Sequence, residues 1–119
     1  MVNSASSGRP GMNPKELPAL LWRVVERYIR AFAPERIVLF GSYAKGTTHL
    51  GSDLDLLVIA EIGDNPAFYL RRAHQLAVDC FPPVDVVFAT PEDVACAATT
   101  KSPFLLSILE RGIIVYRRV

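Results

Sequence analysis

Four successive apolar residues, Ile37-Val38-Leu39-Phe40, run directly into Gly41-Ser42, and this junction constrains the fold more than any other stretch of the chain. A strand that is apolar on both of its faces has to be covered on both, so Arg36 to Phe40 is expected to be a central strand. Glycine at its end permits a close backbone approach. Ser42 then opens Tyr43-Ala44-Lys45-Gly46, a segment able to start a short helix. The first amides of such a helix point outward without partners, so phosphate oxygens can occupy the space in front of them, with the Ser42 hydroxyl as a further donor. A P-loop is excluded, because Gly-x-x-x-x-Gly-Lys-Ser/Thr is missing and Lys45 precedes Gly46.

Around this junction the hydrophobic periodicity sets out the remaining elements. Leu17, Leu20, Leu21, Val24, Val25, Tyr28, Ile29 and Phe32 recur at spacings of three and four, which predicts a first helix with one buried face. It should stop before Pro34, since proline disfavours helical geometry in the residue preceding it. Leu54 to Ala60 reads as a second strand. Tyr69, Ala73, Leu76, Ala77, Cys80 and Phe81 predict a helix closed by Pro82-Pro83. Val84 to Phe88 reads as a third strand, and Thr90-Pro91-Glu92-Asp93 as the cap of a short Ala-rich helix. Ser102-Pro103 starts a last helix, expected to end in a left-handed stop at Gly112, and Ile113 to Tyr116 is the fourth strand. The order helix, strand, strand, helix, strand, helix, helix, strand gives an α/β or α+β class, with helices packed on a small sheet of about four strands.

Size and charge exclude several functions. The chain has 119 residues, half of them hydrophobic, which suffices for one core, and no second folded domain is expected within them. Residues 1–14, rich in Ser, Gly, Asn and Pro, are expected to be a flexible leader, and residues 15–119 a single domain. Thirteen Lys and Arg against twelve Asp and Glu leave a net charge of +1. Arg71-Arg72 and Arg117-Arg118 are the only adjacent basic pairs, so direct DNA binding is not expected. No apolar run approaches the roughly 18 residues of a membrane span, and the expectation is a soluble, cytoplasmic chain. Cys80 and Cys96 fall in stretches that read as helical and lack Cys-x-x-Cys spacing, as expected of small core residues in a reducing compartment.

The chemistry is carried by carboxylates. Asp53 and Asp55 stand two residues apart at the head of the second strand, where side chains at i and i+2 project from one face, while Leu54 points to the opposite, packed face. Their like charges repel, and a hard cation such as Mg²⁺ is the natural neutraliser. Asp85 lies within the apolar run Val84-Asp85-Val86-Val87-Phe88, where a buried lone carboxylate would be costly. If that strand lies beside the one carrying Asp55, three carboxylates could hold two metals about 3.5 to 4 Å apart.

Each part also has an ordinary structural reading: Gly41-Ser42 as a turn, Ser52-Asp53 as a cap, Asp85 as a strand-end carboxylate facing solvent. Four specified residues at these spacings coincide by chance in roughly one chain of this length in a thousand. The constellation as a whole favours chemistry.

Gly41-Ser42, ten residues, then Asp53-Leu54-Asp55, followed by Asp85 in VDVVF, resembles the minimal nucleotidyltransferases of the DNA polymerase β superfamily. The resemblance runs from about Pro34 to Phe88 and implies the polymerase β-like fold. It implies that Asp53, Asp55 and Asp85 hold two Mg²⁺ ions, and that Gly41, Ser42 and nearby amides bind the β- and γ-phosphates of ATP. Lys45 stands where the family often has Arg, keeping the charge but losing the bidentate fork; it either assists phosphate binding or is a solvated surface lysine. Short stand-alone members commonly accompany a small helical HEPN toxin, which implies an antitoxin that transfers AMP to a toxin tyrosine. Two alternatives stay open: neutralisation by steric binding alone, or the catalytic half of a two-subunit small-molecule transferase. His49 is expected as an exposed loop residue, His74 at the surface or core edge, Tyr43 in packing beside Ser42, and Trp22 in packing of the first helix or at an interface.

Overall fold

The computed structural model describes residues 19–45, 53–80, 83–97, 99 and 102–118. The leader and His49 lie outside them, as does the side chain of Lys45. Among the described residues nine elements follow in order: α1 (Ala19–Phe32), β1 (Arg36–Phe40), α2 (Ser42–Lys45), β2 (Leu54–Ile59), α3 (Pro66–Leu76), β3 (Val84–Ala89), α4 (Pro91–Ala95), α5 (Pro103–Arg111) and β4 (Ile113–Arg117). The four strands form one mixed sheet in the order β3-β2-β1-β4. β1 runs antiparallel to both of its neighbours, and β2 pairs with β3 in parallel. The apolar run Ile37–Phe40 therefore lies in a central strand, with Ile37, Val38 and Leu39 buried.

Helices cover the two faces unequally. On one face, Leu21, Val24, Val25 and Tyr28 of α1 and Ala73 of α3 pack against Ile37, Leu39, Leu54, Leu56, Val58 and Val86. The Tyr28 hydroxyl donates to the Ala73 carbonyl at 2.9 Å, and burial, with the Cys80 charge adding to it, holds that phenol far above its ordinary pKa. Phe32 closes the layer, edge-on to Phe88 at 5.1 Å and tilted against Tyr69 at 6.1 Å. Arg27 fastens the end of α3: its Nη1 donates to the Leu76 carbonyl and to Asp79 Oδ1, each at 2.7 Å. One orphan carbonyl of the helix terminus thus meets a cation. On the other face a smaller cluster joins Val38, Leu57, Ile59 and Ala89 to Leu105 and Ile108 of α5.

Local chemistry explains where the helices begin and end. α1 stops at Phe32, and Ala33 turns with φ +46° ahead of buried Pro34. Asn65 caps α3 by accepting from the Phe68 amide at 3.3 Å, with Pro66 at the first turn. Thr90 and Asp93 form a reciprocal capping box at α4, both bonds 3.0 Å long.

Three expectations need correcting. α3 ends at Leu76 rather than Phe81, because tight turns take over: Ala77 donates to His74, Val78 to Gln75 and Cys80 to Ala77. A turn that returns every three residues keeps Ala77 and Cys80 buried and so imitates helical spacing. Cys80 therefore lies beyond the helix and Cys96 sits at the C-cap of α4; neither is in a disulfide, and the first is buried and the second half-buried. Gly112 has φ −75°, so it is not a left-handed stop. A Cβ there would strike Val38 Cγ1 and the Ile108 carbonyl, and space is what the position requires. Among the described residues no helix is long and apolar enough to cross a membrane.

Candidate active site

Strand register brings the distant parts of the motif together. Phe40, the last residue of β1, pairs with Asp55, and Asp55 pairs with Asp85 across the parallel β2/β3 ladder. Adjacent strands lie about 4.8 Å apart, and residues paired across a ladder share a sheet face. Asp53 precedes β2 by one residue and is exposed, two residues before Asp55 along the same extended backbone. Leu54 is fully buried on the α1/α3 side, so the carboxylates belong to the α4/α5 side. All three thus stand at one end of the sheet, beside the end of β1.

Gly41 is fixed by two independent demands. Its φ of +76° is left-handed backbone that suits glycine. A Cβ would also overlap Asp55 Oδ2 and lie 3.0 Å from its Cγ, so the carboxylate rests directly on the glycine. Ser42 follows as the first residue of α2, half-buried, and Tyr43 and Ala44 pack against the larger core, which agrees with a packing role for Tyr43. α2 is thereby anchored from below, and the glycine that precedes it lies against Asp55.

The electrostatic cost falls on Asp55. It is half-buried, and its carboxyl is pushed above the usual carboxylate range, first by burial and then by the charges of Asp85 and Asp53. Asp85 is exposed, so the burial argument made for it from sequence does not hold. Asp85 is the second residue of β3 and lies outside the cluster that covers this face of the sheet. Among the described residues no three acidic, histidine or cysteine side chains are gathered closely enough to hold an ion as they stand. The donor set nonetheless suits a hard divalent cation. All its donors are carboxylate oxygens, two of the three are exposed and free to turn inward, and the charge that raises Asp55 is what a cation would offset.

Sequence reasoning missed the contribution of α5. A cavity of about 200 Å³ beside Gly41 is lined by Phe40 and Ala44 and, from α5, by Phe104, Ser107 and Arg111. Positions 104, 107, 108 and 111 repeat at three and four residues, which marks one helix face, but only the fold shows that this face meets Gly41. Of the remaining candidates, His74 is exposed on α3 and Trp22 is 38% exposed on α1, both on helices of the opposite layer.

Comparison with known proteins bears on the family and the fold. A family model described as nucleotidyltransferase domain matches residues 21–115. A chain of the solved structure "Crystal structure of the toxin-antitoxin with AMP-PNP" is similar at 28% identity with a TM-score of 0.54, covering 80% of this chain and 72% of that one. No curated protein sequence matches.

Proposed function

The chain belongs to the nucleotidyltransferase domain family, and from that premise we propose that it transfers AMP from ATP to a tyrosine hydroxyl of a small helical HEPN toxin, acting as its antitoxin. The observation that carries the reading is the register of Asp55 between Phe40 and Asp85, with its carboxylate against Gly41. That register and that contact support a phosphate site beside the acidic set. The similarity to a toxin-antitoxin chain solved with AMP-PNP supports an adenine nucleotide as donor and a toxin as partner.

In this reading Asp53, Asp55 and Asp85 hold Mg²⁺, and Gly41, Ser42 and the amides that open α2 hold the β- and γ-phosphates, with Lys45 as an added cation. Bound Mg²⁺ supplies the positive charge that acidifies the acceptor hydroxyl and neutralises the departing pyrophosphate. The chain's own part is positioning: Gly41 lets the phosphates approach the backbone, and the sheet holds the carboxylates at a fixed spacing from them.

Incubation of the purified chain with Mg²⁺, ATP and the partner should add the mass of one adenylate to the partner. In an Asp53→Ala, Asp55→Ala double variant the rate should fall by on the order of a thousandfold or more, and labelling at an unchanged rate would refute the assignment. Full neutralisation of the partner by that variant would instead assign steric masking.

A further inference from the structure

The sheet order assigns sides to the reaction. β1 ends at Gly41, β2 carries Asp55 and β3 carries Asp85, side by side in that order. In-line displacement at phosphorus places the attacking and leaving oxygens on opposite sides of the reacting atom. With the leaving phosphates at Gly41, the acceptor has to enter from the β3 side.

A cavity lies on that side. Val87 and Ala89, two and four residues beyond Asp85 on the same strand face, floor a space of about 430 Å³ walled by Phe104 and Leu105 of α5 and by Asp93 and Cys96 of the α4 turn. Phe104, edge-on to Phe40 at 6.0 Å, lines both this space and the smaller one beside Gly41, and so divides them.

We infer that the α4–α5 cavity is the acceptor pocket and that it takes the ring of an aromatic hydroxyl, a tyrosine side chain, whose oxygen it delivers to the Asp85 edge; the inference rests on the nucleotidyltransferase reading above. The floor is apolar and the walls include an exposed aromatic ring, which suits an aromatic face. Asp93 Oδ2 already accepts from the Thr90 amide, which holds that carboxylate in the α4 capping box. Val87 and Asp85 are about 6.6 Å apart along the strand; a phenol ring bridges that distance and a serine hydroxymethyl does not. In the transfer the acceptor oxygen bonds to the α-phosphorus of ATP as the bond to pyrophosphate breaks. The hydroxyl proton passes to solvent water at the exposed Asp85 edge, and pyrophosphate leaves on the Gly41 side.

The test uses the full chain with Mg²⁺, ATP and two probe acceptors, N-acetyltyrosinamide and N-acetylserinamide, with adenylated product read by mass spectrometry. The tyrosine probe should be labelled at least about tenfold faster. Ser102 lines the cavity and makes no capping hydrogen bond through its side chain, so Ser102→Trp fills the space without removing a bond. It should raise KM for the tyrosine probe about tenfold and leave KM for ATP unchanged. Val87→Phe, which narrows the floor instead, should do the same and guards against a folding defect in the first variant. Equal labelling of both probes, or an unchanged acceptor KM in both variants, overturns the inference. Methyl NMR separates this from failure of the underlying reading. If neither probe is labelled, labelling of the partner decides the transferase reading separately, while shifts at Val87, Ala89 and Leu105 on adding N-acetyltyrosinamide still identify the pocket, and no shift there overturns it.

Discussion

The two faces of the sheet divide structure from chemistry. Against α1 and α3, β2 presents Leu54, Leu56 and Val58, each fully buried, and Tyr28, Phe32 and Arg27 tie the helices to each other and to the strands. Against α4 and α5, the same strand presents Asp55, Leu57 and Ile59, so a charged residue opens a face that is otherwise core. Alternation along one strand therefore supplies a packed side that stabilises the fold and a charged side that costs stability. The first face can pay for the second because they share a backbone.

That comparison can be broken by mutation. Leu56→Ala, on the packed face, should destabilise by about 2 to 5 kcal/mol, whereas Val87→Ala, half-buried at the cavity floor, should cost about 1 kcal/mol or less. Denaturant unfolding of the two variants checks this, and equal losses would show that the faces are not different in kind. Gly41→Ala sits where the faces meet at the strand end. It should cost about 1 to 2 kcal/mol for the left-handed backbone alone and lower transfer activity as well, because the added methyl displaces Asp55; unchanged activity would separate the glycine from the carboxylate.

The smallest effect concerns charge. Asp55 has its folded pKa raised, so its protonated form favours the fold. Stability of the metal-free chain should decline as pH rises from the ordinary carboxylate range through that raised value, and it is retained below. Asp55→Asn should remove this decline, unfolding like the parent at low pH and at higher temperature than the parent near neutrality. Added Mg²⁺ should narrow the gap by stabilising only the parent. Thermal melts across pH with and without Mg²⁺ test the sign, and a variant less stable than the metal-free parent near neutrality would contradict it.

Much of this division was legible in the sequence where local rules govern. The expected strand Arg36–Phe40 became β1 with the same bounds, because the apolar run Ile37–Phe40 suits a strand buried on both faces. That the strand carrying Asp85 lies beside β2 was an inference from chemistry; the register gives it and adds that the pair is parallel. Helix ends were less legible: at Ala77 to Cys80 successive tight turns mimic helical spacing, and at Gly112 the reason for glycine is a side chain of β1, remote in sequence. For the same reason Phe104 and the cavities it divides escaped notice, since nothing in residues 103–111 reveals which strand they meet. The roles of Asp53 and Asp85 rest on spacing and register, and their exposure could not be read from residue types alone.

The carboxylate of Asp55 resting on Gly41 has a thermodynamic consequence. In a metal-dependent transferase, anything that moves the glycine loop also moves a metal ligand, so occupancy of the two sites is linked. Linkage is reciprocal: the factor by which bound cation tightens nucleotide equals the factor by which bound nucleotide tightens cation. Two titrations, each with the other ligand present and absent, would close that cycle, and the coupling they share would measure how firmly one glycine joins two binding events.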